Sequence, residues 1–533
     1  MKKIIIYVLA AFTLYGNAYS QKKSKSVDII SGEEIKESRS SNLESIIGYD
    51  ETGIYVLKTE GGGMFSSEAS FIEHFDNKMN QTKSEEVIIT DKRGDERFFE
   101  SFVYMSNTIY LFSSTEDKKS DFVELYAQTV NKKTLRPNND ARKIAKIDYS
   151  QKGNNSFGDF AFEISNDESK ILIHYLLPAK KKEKEKIALI VMDKDLNLVW
   201  EKKCTLPYSE DLFEDERYKI DNEGNAYILG LVYKEKAVSK RKGKPNFKYQ
   251  LISYKSNGTV YNEYPIELPG KFITDMQIAI NDKNDIICAG FYSNVGTFSV
   301  NGSYYMYIDG QNGDISRKNF KEFDIDFITQ NMTEREAERT KKKEKKGKDV
   351  ELYEYDLDDL VIRDDGGVIL IGEQFFINVF TTTYTNSNGS TSTTTTYHYY
   401  YNDIVVININ PDGKIDWAKK IPKYQESIND GGTYSSYALG FLDDKLFFLF
   451  NDNPKNLTNT GDGKLKNYNP NRESIVALVV MENDGNFKKE ALYKMKRSDI
   501  LIRPKLSQQV TDSEMILFGK KGKMQQFTKL IYK

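Results

Sequence analysis

One local pattern, repeated eight times along the 533 residues, restricts the fold of this chain more than any other feature. A short alternating segment runs into a polar turn, and the turn opens directly into an apolar strand. Positions 49–53 lead into 54–57, 105–107 into 108–112, 165–167 into 171–175, and 221–224 into 226–230. The same step recurs from 281–284 into 286–290, 364–367 into 368–372, 443–444 into 446–450, and 512–513 into 515–519. Asp, Asn and Gly fill these turns because tight hairpins need left-handed backbone and side chains that bond to their own turn.

A second hairpin follows the first. Its strand and turn are 71–75 with Asp76-Asn77, 187–192 with 193–195, 251–254 with Asn257-Gly258, 304–308 with Asn312-Gly313, 404–409 with 411–413, and 475–481 with Asp484-Gly485. Two hairpins in fixed order, at intervals of roughly 50 to 80 residues, make a four-stranded propeller blade carrying loop insertions. Paired sandwiches also use many short strands, but they do not call for the same two turns in the same order each time. The expected fold is all-β: a β-propeller of about eight four-stranded blades, with seven the alternative. The final unit, 500–533, has room for only three strands, at 501–510, 515–519 and 526–532. The orphan strand 27–30 is its expected fourth, closing the ring by pairing two edges that would otherwise invite aggregation.

The N-terminus points to export. Lys2 and Lys3 precede an apolar run at 4–14, followed by Gly16, Asn17, Ala18 and Ser20. This is the layout of a secretory signal peptide, 1–20, with cleavage near Ser20 or Gln21. The run is shorter than the ~20 apolar residues of a spanning helix, and no later segment is apolar enough to span. No cysteine follows it, which closes the lipoprotein route. A single propeller domain, 21–533, remains. Tyrosine and phenylalanine number 35 and 30 against two tryptophans, which favours strands. The 76 basic residues are interspersed among 79 acidic ones, without the basic excess of a nucleic-acid binder. Cys204 and Cys288 are too few for a disulfide framework. Cys288 lies in the apolar run 286–289, so two buried free thiols are preferred to one bridge.

Two insertions break the period. The first, 327–350, contains the lysine run 341–348; Thr333 with Glu336 fits a helix-start capping box. A solvated helix or loop is preferred there to a site for an anionic ligand. The second, 377–402, is rich in threonine and ends in Tyr397-His398-Tyr399-Tyr400-Tyr401, which suits a hairpin extending out of its blade. Tyr397, Tyr399, Tyr400 and Tyr401 are the candidate binding residues, since aromatics are enriched at interfaces. Cross-strand stacking explains the cluster equally well.

Catalytic motifs are absent. His74, His174 and His398 fall in three different units, and there is no H-E-x-x-H helix, G-x-S-x-G elbow, P-loop or dinucleotide fingerprint. The Gly61-Gly62-Gly63 run reads as a turn. Asp324 with Asp326, and Asp356 with Asp358 and Asp359, have the chemistry for a hard cation. Acidic residues around turns are ordinary in propellers, so the structural reading is preferred. A glycosidase drawing carboxylates from different blades would leave no trace in local spacing.

Asp195 to Trp200 and Asp412 to Trp417 place tryptophan in one register of the return strand. This is similar to the tryptophan docking motif of quinoprotein propellers, which implies rings packed between neighbouring blades but not quinone chemistry. More broadly, the signal peptide, the lysine- and tyrosine-rich composition and the stretch DIVVININPDGKIDWAKKI at 403–421 resemble secreted or periplasmic propeller-like proteins of unknown function from Bacteroidota. The resemblance carries no functional residues across. The expectation is a non-enzymatic binding or scaffold protein of the bacterial envelope, periplasmic or secreted and monomeric. It would recognise an envelope protein or glycan through its loops, without cofactor or metal. The alternative is a carbohydrate-active or other hydrolytic enzyme at the axial opening.

Overall fold

The computed structural model describes residues 24–533 apart from 62–68, 91–92, 118–120, 151–158, 236–239, 242–243, 295, 297–298, 459–463, 471 and 497–498. The expected signal peptide and most of the glycine run lie outside the described residues. Eight antiparallel sheets of four or more strands succeed one another along the chain, each resembling a propeller blade. Their first strands are Asn42–Asp50, Phe98–Met105, Ala161–Ile164, Phe213–Ile220, Phe272–Ile280, Tyr355–Ile362, Ala438–Leu442, and the short pair Leu501–Ile502 and Gln508–Gln509. In the eighth sheet Val27–Ser31 lies antiparallel to Met524–Tyr532, with Val27 opposite Tyr532 and Ser31 opposite Thr528. The orphan strand thus fills the missing place.

Position within a sheet dictates composition. The middle strands are covered on both faces by neighbouring sheets, so Ile286–Ser293 is buried throughout and is almost wholly apolar, with Ser293 at its end. The fourth strand Ile315–Glu322 is mostly exposed and carries lysine, arginine and glutamate. Eight buried clusters form between consecutive sheets, one for each junction. One of them joins the last sheet to the first, where Ile516, Phe518 and Phe527 meet Leu43, Ile54, Val56 and Phe75.

The tryptophans pack between sheets as their register implies. Trp200 Nε1 donates to the Gly224 carbonyl of the next sheet at 2.9 Å, and its ring lies so close to Gly258 that an added Cβ would stand 2.9 Å from it. Trp417 Nε1 donates to the Asn483 carbonyl at 2.9 Å and covers Gly485 in the same manner. The charged insertion contains the helix Glu334–Glu344, opened by the Thr333 and Glu336 capping box and with no buried residue. Asp324 caps a preceding helix, Ile325–Thr329, and Asp326 pairs with Lys341 at 2.7 Å. Cys204 and Cys288 are buried free thiols. No helix among the described residues is long and apolar enough to cross a membrane.

Candidate active site where the first strands converge

First-strand ends of neighbouring sheets approach one another. Leu357 N in the sixth sheet donates to Asp275 Oδ2 in the fifth at 2.8 Å, and Gln277 Nε2 reaches the Leu357 carbonyl at 3.2 Å. Asn166 Nδ2 in the third sheet donates to the Ile280 carbonyl in the fifth at 2.9 Å, passing over the fourth. In five of the first strands the ladder skips a residue, namely Glu44, Glu100, Glu216, Thr274 and Asp358. A bulge re-aims the extra side chain, and four of these five are acidic.

The carboxyls draw together on the fourth, fifth and sixth sheets. Asp358 is pushed up to about 7 by desolvation, with Glu373, Asp359 and Asp356 adding repulsion. The Tyr437 hydroxyl donates to Asp358 Oδ2 at 2.7 Å and partly counters this. Asp356 is pushed up to about 6 by desolvation, then by Asp275, Glu373 and Glu354. Both side chains are open to solvent yet walled by protein, so a confined opening rather than close packing disfavours their charge. Burial also raises Asp275 and Asp359, and the Arg217 guanidinium of the fourth sheet opposes both effects. Beneath them, buried Glu373 holds Lys423 Nζ at 2.5 Å and accepts from Ser436 Oγ at 2.7 Å. Lys505 is lowered by burial and held up by Glu373 and Asp358.

A cavity of about 260 Å³ opens beside this arc, lined by Glu163, His174, Glu216, Arg217, Tyr218 and Lys219 among others. His174 lies flat on Tyr218, ring centroids 3.5 Å apart, and burial pushes it down to about 4. The imidazole is therefore neutral at physiological pH and contributes an acceptor rather than a charge. His74 bonds Thr52 and Thr82 on its own sheet, away from the arc.

The expected tyrosines take different positions on the ribbon of Val368–Thr385 and Thr391–Ile409. Tyr397 is exposed and Tyr399 half-buried, whereas Tyr400 stacks on Phe376 at 4.6 Å and donates to Glu426 Oε1 at 2.9 Å. Tyr401 is buried, accepting from Lys505 Nζ at 2.7 Å. It packs into the wall of the opening because strand alternation turns it towards Phe375 and Lys505. His398 shares Glu426 with Tyr400, its Nδ1 at 2.9 Å from Oε1. The reading of Asp356, Asp358 and Asp359 as turn residues is corrected: they occupy a first strand, where their charges are costly. Among the described residues no three of His, Cys, Asp or Glu stand where they could share a metal ion.

Neither a protein-family model nor a curated relative matches the sequence. Solved structures match over most of the chain. Dipeptidyl peptidase 4 from Porphyromonas gingivalis is 11% identical with a TM-score of 0.40, covering 91% of this chain and 56% of its own. The WD40 domain of SCAP from fission yeast is 10% identical with a TM-score of 0.38, covering 94% and 98%. An ulvan lyase is 8% identical with a TM-score of 0.36, covering 93% and 95%. These likenesses concern the fold, and the activities belong to those proteins. Here, however, the strands Phe272–Ile280 and Tyr355–Ile362 gather raised carboxyls that a passive scaffold does not need. The leaning against an enzyme is corrected accordingly: the fold and its opening accommodate catalysis at least as well as binding alone.

Proposed function

We propose that the chain is a hydrolytic, carbohydrate-active enzyme working at the axial opening of a closed, eight-bladed propeller. The ring is supported by the cluster joining the eighth sheet to the first and by the N-terminal strand in the eighth. The observation that carries the activity is the pair Asp356 and Asp358, raised to about 6 and about 7 on one strand. Near neutral pH such a pair holds about one proton, so one carboxyl is an acid while the other is a base. Residues two apart on a strand lie about 7 Å from each other, within the range of roughly 5 to 9.5 Å over which paired carboxyls cleave glycosides. In this scheme Asp358 gives its proton to the departing glycosidic oxygen. Asp356 takes a proton from water as the water oxygen bonds to the anomeric carbon. Tyr437 orients Asp358, and the cavity beside Arg217 receives part of the substrate.

The test is release of reducing ends from a panel of envelope and plant polysaccharides. Asp356→Asn and Asp358→Asn should each lower release by about 100-fold or more, the usual scale for losing a general acid or base. Release that is unchanged in both folded variants overturns the assignment.

Export is proposed with it, with residues 1–20 removed and the protein placed in the periplasm or outside the cell. The layout of Lys2, Lys3 and the apolar run supports this, and the mature N-terminus should lie near Gln21. The exposure of the ribbon favours a second role for it as a contact surface centred on Tyr397 and Tyr399, with Tyr400 and Tyr401 as their packed base.

A further inference from the structure

We propose that the ribbon of Val368–Thr385 and Thr391–Ile409 pairs edge to edge with the same ribbon of a second copy of this chain. The proposal rests on the reading of the ribbon as a contact surface and names its partner. Among the described residues no strand lies beside the outer edge of Val368–Thr385 beyond Gln374; Phe375 N makes the last bond, to the Glu354 carbonyl at 2.9 Å. Gln425–Ile428 accompanies the other strand as far as His398, and the pairs from Val379 with Tyr397 to Thr385 with Thr391 then continue alone, a ribbon of about 20 Å at ~3.4 Å per residue. A two-stranded ribbon standing alone in water is marginal. This one also leaves apolar side chains uncovered: Ile377, Val379, Phe380 and Tyr384 are 44%, 54%, 52% and 58% exposed.

The usual defences of an open edge are missing. Lysine, proline or inward charge normally blunts such strands. Positions 375–401 contain no Asp, Glu, Lys, Arg or Pro, in a chain that is 29% charged. That neutrality also selects the occupant. A two-fold contact sets a surface against itself, so a patch of uniform sign meets its own charge, whereas a neutral strand is compatible with its copy in any antiparallel register. A register centred on Thr381 sets Val379 against Thr383 and Ile377 against Thr385, giving methyl contacts on one face and a backbone ladder along the edge.

The full-length mature protein is examined by light scattering from about 1 to about 100 µM, the span in which a contact this small should dissociate. Dimer is expected at the upper end. Val379→Lys and Thr381→Lys should weaken it at least tenfold with an unchanged melting temperature. Thr381→Cys gives a variant whose oxidation should yield a covalent dimer, because Cys204 and Cys288 are both buried. A wild type that stays monomeric, or a dimer untouched by the lysine variants, overturns the proposal. If the monomer still binds peptidoglycan sacculi and Tyr397→Ser with Tyr399→Ser weakens that binding, self-pairing falls while the contact reading survives. If the serine variants bind as the wild type does, both fall.

Discussion

Asp358→Asn should stabilise the protein at alkaline pH and leave it unchanged in acid. The carboxyl is raised from the ordinary 3.8 to about 7. In the unfolded chain it ionises near its ordinary value, whereas in the folded chain it keeps its proton until about pH 7. The folded state therefore binds more protons between these limits, and stability falls as pH rises through them. Below pH 4 no penalty exists, and above pH 7 it is complete. At ~1.36 kcal/mol per pH unit the full penalty would be about 4 kcal/mol. Because Asp358 is open to solvent, screening should leave on the order of 1–2 kcal/mol. Asparagine is nearly isosteric, still accepts from Tyr437, and carries no charge at any pH. Denaturant midpoints compared at pH 4 and pH 8 measure the effect. Equal midpoints for wild type and variant at pH 8, or the same gain at both pH values, would refute the reasoning.

Removing residues 24–31 strips Val27–Ser31 from the edge of Met524–Tyr532 and uncovers a core that includes Val27; a melting temperature lowered by several degrees and concentration-dependent light scattering are expected, and an unchanged melting temperature rules against exchange between the termini. Trp200→Ala should cost about 3–5 kcal/mol in chemical denaturation, as large aromatic truncations in cores do, because the ring fills the junction at Gly258 and bonds Gly224. A loss below about 1 kcal/mol would show the junction to be plastic.

The sheets were legible because their turns are local. Asn257 and Gly258 adopt φ of 56° and 73°, and Asp443 and Asp444 adopt 46° and 60°, so the residue types announce the hairpins they make. The helix start at Thr333 and the strand exchange at Val27 were legible for related reasons: one is a four-residue signal, the other a count of strands. The arc of carboxyls was not. Asp275 and Asp356 meet only because two successive sheets turn their first strands to one axis, which no spacing along the chain encodes. A faint signal did exist. Glu216 and Asp358 each stand five residues before the turn-opening residues Asp221 and Arg363, whose amides bond the Asn225 and Gly367 carbonyls. In these two sheets the acid's distance from the turn coincides with the bulge that re-aims it. The position of Tyr401 was hidden differently, since alternation along a tyrosine run says that neighbours face opposite ways but not which way is in.

That an arc of like charges persists on the first strands is itself informative. Serine, asparagine or valine would fit an extended strand there with less electrostatic cost, and each raised carboxyl lowers stability at neutral pH. Glu373, on the adjoining strand, shows the usual solution, since it is deeply buried yet matched by Lys423 at 2.5 Å and by Ser436. Among the described residues Asp356 and Asp358 have no such cation in contact, and the charges acting on them are mostly those of other acids. A local rule broken with so little local compensation, where the first strands of the fifth and sixth sheets meet, is the pattern expected of groups kept for chemistry on something outside the chain. The Asp358→Asn variant separates the two accounts in one protein: a scaffold should gain stability and lose nothing, whereas an enzyme should gain stability and lose its reaction.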